Sequence, residues 1–459
     1  MAKNINVHFL GASGTVTGSK FYLETPELNL MVDCGMFQGL KELRQKNWGP
    51  LPVDASKIDM VLLTHGHLDH TGYLPRLVKA GFSGPIMGTA PTLEITGIIL
   101  KDSAKIHEEE AKRANKEGFT QHRPALPFYD LAEAQRAIAL LQPQEEDVWI
   151  PLSEHVQVRF QYAGHILGAT YIEMDVHGKR FVFSGDVGRP KDALLQPPKK
   201  PKWADYLFME STYGHKLHPN EDVGTLLIHL IKEIITKRGT LIIPSFAVER
   251  LQTLMYVLWM LYKKNKIPNI PMFIDSPMGA NVLSVFERHP QWHTLSENDY
   301  RAMCSHFTTI GSYKDTWKTI DDPRPKVVIA GSGMITGGRV LTYLKQLLDQ
   351  ERTTVLLVGF QAEGTRGRQL LEGGHELKLF GRYIPVKAKV EHLDSLSAHA
   401  DQGELLDWLS DITNVPEKVF LVHGEPVALN ALRVKLKDTF GWQVLIPHLA
   451  EVHELFITP

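Results

Sequence analysis

Five times along this chain a short, almost purely apolar run ends in a loop and is followed by apolar residues at helical spacing. The five segments are "IDMVLLT…YLPRLVKAG", "TLIIPSFAVERLQTLMYVL", "KVVIAGSGMITGGRVLTYLKQLL", "TVLLVGFQAEGTRGRQLL" and "KVFLVHGEPVALNALRVKL". A strand with no polar face must be covered on both sides, and helices that follow such strands supply the cover. The segments "INVHFLG" and "KFYLETPELNLMVDCG" alternate apolar and polar residues instead, as strands of a half-exposed sheet do. The rhythm predicts an α/β protein.

With 459 residues the chain exceeds one simple core and is expected to form two domains or one domain with a large insertion. A hydrophobic content of 43% against 22% charged residues excludes a disordered chain. Only Cys34 and Cys304 are present, so neither a disulfide framework nor a thiolate metal cluster can form, and a cytoplasmic location is expected. The start "MAKNINVHFLGASG" lacks a basic segment before an apolar run, and the apolar stretch "LMYVLWMLY" at 254–262 is too short to span a bilayer; no membrane partner is expected. Fifty Lys and Arg against 52 acids leave a net charge of −2, so any affinity for a polyanion must be local. The Pro/Lys-rich stretch 188–203 is a candidate boundary, and "KDSAKIHEEEAKRANKEG" is a candidate solvated helix.

The stretch "VLLTHGHLDHTGYLP" crowds His65, His67, Asp69 and His70 into six positions directly after an apolar run. Residues two apart point in opposite directions on a helix but to the same side of an extended segment, so His65 and His67 can share an ion only at a strand end. Asp69 and His70 follow where the chain turns into a helix, displaced from the first pair and suited to a second ion. Imidazole and carboxylate ligands without thiolate favour Zn²⁺, with Mn²⁺ or Fe as competitors. Ligand sites in α/β sheets gather at the carboxyl ends of strands. That filter passes His165 in "AGHILGA", Asp186 in "SGDVG", Glu210 in "MESTYG", His399 in "SAHAD" and His423 in "VHGE", each of which alone would read as an ordinary loop or cap residue.

In this order "THGHLDHTGYLP", "AGHILGA", "SGD", "ESTYG", "SAHAD" and "VHGE" resemble the successive motifs of the metallo-β-lactamase-fold β-CASP nucleases, in the branch that includes the catalytic subunit of the cleavage and polyadenylation specificity factor and its prokaryotic relatives. The resemblance implies an αββα sandwich in two parts, 1–210 and 388–459, interrupted by an inserted α/β β-CASP domain at 211–387. It implies two zinc ions: His65, His67 and His165 would hold one, Asp69, His70 and His423 the other, and Asp186 would bridge them. Asp69 and Asp186 thus count among the catalytic residues. Asp33 in "MVDCG" would support the histidine loop without binding metal, and His399, oriented by Glu210, would be the general acid. The implied activity is a ribonuclease that hydrolyses single-stranded RNA to 5′-phosphate and 3′-hydroxyl ends. Single-stranded RNA is the expected partner, and a homodimer is one candidate assembly. The alternatives are an inactive RNA-processing scaffold of the same fold and a metallo-hydrolase of another substrate.

The loop "GSGMITGGR" follows a strand and precedes a helix, but its glycines are spaced G-x-G-x-x-x-G and miss the dinucleotide fingerprint. It is read instead as a nest for an RNA phosphate, with Ser332, Arg339 and Arg366 as the candidate contacts. His8, His107, His122, His177 and His392 are read as ordinary strand, loop or edge residues.

Overall fold

The structure, a computed structural model, describes residues 3–117, 123–219 and 222–457, so His122 lies outside the described residues. Two compact units emerge: Met1–Pro190, Pro197–Leu217 and His399–Pro459 form the first, Lys191–Gln196 and His218–Ala398 the second.

The first unit contains two seven-stranded sheets. One runs in the order Val452–Ile457, Lys3–Phe9, Phe21–Glu24, Asn29–Val32, Met60–Leu62, Ile86–Thr89, Leu141–Gln144. The other runs Val444–Leu445, Lys418–Val422, Tyr206–Glu210, Lys179–Phe183, Thr170–Val176, Val156–Tyr162, Ile150–Pro151. Alternation along the strands sorts their side chains into three apolar layers. Phe9, Phe21, Leu62, Phe183, Phe208, Phe420 and Val422 fill the layer between the sheets. Val61 and Leu63 point the other way, onto the helices Leu74–Lys79, Ala90–Glu117 and Leu131–Ile138. Val182, Leu207, Met209 and Leu421 turn outward from the second sheet onto Gln402–Leu409 and Pro426–Phe440. Short apolar strands therefore read as doubly buried because they are: the architecture is αββα. The central layer includes a run of aromatic rings, with Phe183 stacked on Phe208 at 4.2 Å and Phe208 on Phe420 at 5.0 Å. Truncating one such ring to Ala costs about 3–5 kcal/mol.

Register brings the functional loops together. Tyr206–Glu210 pairs in parallel with Lys418–Val422, Glu210 opposite Val422, and with Lys179–Phe183, Phe183 opposite Phe208. Two of these strands end level and Lys179–Phe183 ends two residues earlier, and the loop after it brings Asp186 beside Glu210 and His423.

The second unit is built on a six-stranded parallel sheet in the order Thr308–Thr309, Met272–Asp275, Lys326–Ala330, Thr240–Pro244, Thr353–Val358, Lys389–Leu393. The helices Val340–Leu347 and Arg366–Leu371 and the hairpin Glu376–Pro385 follow its strands. The segment 254–262 lies in the helix Arg250–Lys263, with Leu254, Met255 and Leu258 buried. Residues Lys191–Gln196 of the Pro/Lys-rich stretch go with this unit, Leu194 O accepting from Thr294 N at 2.7 Å. Among the described residues no helix is long and apolar enough to cross a membrane.

Candidate metal centre

The strand Met60–Leu62 gives way to an extended stretch that carries His65 and His67 before the helical turn Leu68–Thr71. The chain can take this path only because Gly66 lacks a Cβ, which would lie 2.6 Å from Ile95 Cγ2. Gly35 is needed for the same reason, since its Cβ would fall within the backbone of Asp69. That contact seats the Asp69–His70 turn against the "VDCG" loop, where Cys34 N donates to His70 O at 2.7 Å and Ser19 N to Asp69 O at 2.8 Å.

Three ring nitrogens meet at one point. His67 Nδ1 lies 3.1 Å from His65 Nε2 and 3.2 Å from His165 Nε2, and Asp186 Oδ2 lies 3.4 Å from both of the latter. A second group adjoins it: His70 Nε2 is 3.2 Å from His423 Nε2, which is 3.5 Å from Asp69 Oδ2, while Asp186 Oδ1 is 3.4 Å from His70 Nε2. Asp186 thus turns one oxygen to each group. Within each group one ligand atom per residue can be chosen so that all lie within 4.8 Å of one another.

Electrostatics sets the protonation states. Burial, with the neighbouring His70 adding to it, drives His65 well below its ordinary value, and burial lowers His67 to about 4. Both are neutral imidazoles near pH 7, the form that binds metal. Burial would raise Asp186, but His423, His70 and His65 around it outweigh burial and hold it well below the usual carboxylate range. Burial opposes a charge on His70, yet Asp186 and Asp33 overcome it and raise that residue well above its ordinary value. Three ring nitrogens and a carboxylate oxygen converge within 3.4 Å of their neighbours, a spacing that one shared cation would satisfy. The donor set fits divalent cations bound through nitrogen and oxygen.

The remaining residues act on this set. Asp33, at φ +57°, accepts from Thr64 N at 2.8 Å through Oδ1 and faces His70 Nδ1 at 2.7 Å through Oδ2, fixing which ring nitrogen of His70 turns inward. Thr64 Oγ1 also contacts His65 Nδ1 at 3.1 Å. Glu210 accepts from Val187 N at 2.6 Å and Thr212 Oγ1 at 2.7 Å, and lies 3.2 Å from His399 Nδ1. Burial opposes protonation of His399, but Glu210 and then Asp186 prevail and raise its pKa. His399 is 17% exposed, whereas His65 and His165 are 1% exposed. It sits beside the clustered histidine rings, 4.5 Å from His165 between centroids, yet stands outside both donor groups.

Sequence reasoning passed over three supports. Thr64 and Thr212 stand next to His65 and near Glu210, but a threonine after a strand carries no signal of its own. Lys20 is buried and donates from Nζ to Gly18 O at 3.0 Å and Gly35 O at 2.5 Å, bracing the loops beneath Asp69; burial lowers it to about 8.

The phosphate-contact expectation fares differently. Arg339 donates to the fully buried Asp275 at 2.7 Å, and Arg366 donates to the carbonyls of Lys378, Ile335 and Thr336. Ser332 Oγ accepts from Thr336 N and Gly337 N. Ser332 thus ties the loop to itself, while Arg339 and Arg366 tie it to neighbouring segments. His177 lies in a hairpin turn, and His392 lies on the edge strand Lys389–Leu393, as expected.

Comparison with known proteins agrees with this layout. Residues 14–218 match the metallo-beta-lactamase superfamily, 251–370 the Beta-Casp domain, and 383–447 the Zn-dependent metallo-hydrolase RNA specificity domain. Ribonuclease TTHA0252 of Thermus thermophilus is 34% identical over 451 residues, spanning 96% of this chain and 98% of its own. Transcription termination factor FttA of Methanocaldococcus jannaschii is 29% identical over 96% of this chain and 70% of its own, and an RNase J-like protein of the same organism is 30% identical over 91% and 92%. A protein of unknown function from Enterococcus faecalis V583 shares the fold, with a TM-score of 0.54 and 12% identity over 99% of this chain and 100% of its own.

Proposed function

This chain belongs to the β-CASP branch of the metallo-β-lactamase superfamily, and from that premise we propose that it is a two-zinc ribonuclease acting on single-stranded RNA. The observation that carries the reading is Asp186, which offers one carboxylate oxygen to each of two donor groups and has a non-coordinating histidine–glutamate pair beside it. His65, His67 and His165 would hold one ion, Asp69, His70 and His423 the other, with Asp186 between them. When bound, two such ions supply Lewis-acid activation of a water and neutralise charge on a phosphodiester.

The chain's own residues do the rest. Asp33 and Thr64 hold the histidine loop in its ligating rotamers. Glu210 fixes His399 through Nδ1, so the protonated imidazole presents its second N–H at Nε2. Water loses one proton to solvent as its oxygen joins phosphorus, the bond from phosphorus to the 3′-oxygen breaks, and His399 delivers the Nε2 proton to that leaving oxygen and regains one from solvent. Glu210 and Asp186 raise its pKa, which favours the charged, proton-donating form. The products carry 5′-phosphate and 3′-hydroxyl ends. Free Cys34 and Cys304 suit a reducing compartment and support a cytoplasmic place of work.

The test is cleavage of matched single-stranded RNA and DNA oligonucleotides with end-group analysis. RNA is expected to be cut to 5′-phosphate products, DNA little or not at all. A 2′,3′-cyclic phosphate would contradict the water-attack mechanism, and equal cleavage of DNA would contradict the substrate.

A further inference from the structure

We propose that Glu27, His155 and His177 form a separate site for a divalent transition-metal ion that ties three turns of the first unit together at the strand ends opposite the candidate active site. Glu27 Oε1 lies 2.9 Å from His155 Nδ1 and 3.1 Å from His177 Nε2, and the three donor atoms fall within 4.8 Å of one another. Donors about 2.0–2.2 Å from a tetrahedral ion stand a little over 3 Å apart, close to the two Glu27–imidazole separations, and the stacked imidazoles would turn towards a shared ion. Two imidazoles and a carboxylate are a set suited to Zn²⁺, Ni²⁺ or Cu²⁺. His155, 44% exposed, leaves the outer side open to a water ligand.

Each donor is fixed by its turn. Glu27 sits between Phe21–Glu24 and Asn29–Val32, where Thr25 N donates to Leu28 O. His177, at φ +51°, and Gly178, at φ +80°, make the two-residue hairpin between Thr170–Val176 and Lys179–Phe183. His155 ends the turn in which Leu152 and Ser153 N both donate to Val156 O. His177 N donates to His155 O at 2.9 Å, and the two rings stack at 4.4 Å. Ser153 Oγ and His155 N hold Glu27 Oε2, which leaves Oε1 facing both rings, the kind of outer support that orients a ligand carboxylate.

The placement is systematic. The strand Asn29–Val32 runs from Glu27 to Asp33, Val156–Tyr162 from His155 to His165, and Lys179–Phe183 from His177 to Asp186. Three strands thus carry a donor of this cluster before their first residue and a residue of the candidate active site after their last, separated by roughly 15–25 Å of strand. Because Glu27 belongs to one sheet and the two histidines to the other, an ion here staples the sandwich at the end the active-site ions do not reach.

The test compares wild type with His155→Ala/His177→Ala and with Glu27→Gln, a milder change that keeps an acceptor for Ser153 and the His155 amide. Each folded protein is equilibrated with Zn²⁺, freed of excess, and assayed for zinc per chain and for the zinc-dependent rise in melting temperature. Wild type is expected to hold one equivalent more than either variant and to gain more in melting temperature on adding zinc. Equal zinc content in wild type and both variants would overturn the proposal and leave a hydrogen-bonded His–Glu–His cluster. Repeating the assay in the Asp186→Ala background, where the same one-equivalent difference must persist, separates this site from the active-site ions.

Discussion

Asp186 and Asp275 hold similar positions in two different sheets, and their fates differ. Asp186 follows the strand Lys179–Phe183, Asp275 ends the strand Met272–Asp275, and both are almost wholly buried. Around Asp275 the chain supplies everything the carboxylate needs: Arg339 at 2.7 Å, Thr316 Oγ1 at 2.6 Å and Tyr343 OH at 2.8 Å. Around Asp186 it supplies imidazoles, whose nitrogens themselves ask for a cation. On the proposed function, a buried strand-end carboxylate is structural where its neighbours balance it, as at Asp275, and would serve as a ligand where imidazoles surround it, as at Asp186. Glu249 takes a third course. Burial, reinforced by Asp192, raises it to about 8, so a proton neutralises it.

The largest effect is expected at the unbalanced site. Asp186→Ala removes the one side chain shared by both donor groups, so metal content should fall and activity should drop to background, measured by elemental analysis and single-turnover cleavage. His399→Ala should lower the rate by roughly 10²–10⁴ while both ions stay. If that variant emptied the site, His399 would be a ligand rather than the acid. Arg339→Ala leaves Asp275 buried without its cation and should cost about 3 kcal/mol, at the low end for a broken buried pair because Thr316 and Tyr343 remain. Denaturant unfolding reads this loss, and the metal content of the folded fraction should not change.

The effect that vanishes in acid concerns Glu249→Gln. A carboxyl whose folded pKa is about 8 and whose ordinary value is 4.5 binds more protons folded than unfolded between those limits. Its contribution to stability is complete below about pH 4.5 and is lost as pH rises through 8. The glutamine variant should therefore match wild type in acid and become the more stable of the two as pH rises towards 8. A melting-temperature difference that shrinks with rising pH would contradict this.

What was legible in the sequence follows from how locally each feature is encoded. Runs such as "IDMVLLT" announce strands buried on both faces because alternate residues serve two cores, Leu62 one and Val61 and Leu63 the other. The histidine loop was legible because four donor residues fall within six positions; His165, Asp186, Glu210, His399 and His423 needed the strand-end rule and the family resemblance to join them. Arg339's partner Asp275 comes from a different strand, and nothing in "GSGMITGGR" points to it. Glu27, His155 and His177 sit on separate hairpins, each a plain turn residue, and only the fold brings them together. The left-handed Glu249, at φ +67°, shows no trace in "SFAVERLQ".

The contrast between Asp186 and Asp275 is tested most directly by zinc per chain in wild type, Asp186→Ala and Asp275→Asn, prepared identically and compared as folded protein. Asp186→Ala is predicted to lose about two equivalents relative to wild type, and Asp275→Asn to lose none while unfolding at lower denaturant. Retention of wild-type zinc by Asp186→Ala, or loss of zinc from folded Asp275→Asn, would contradict the account.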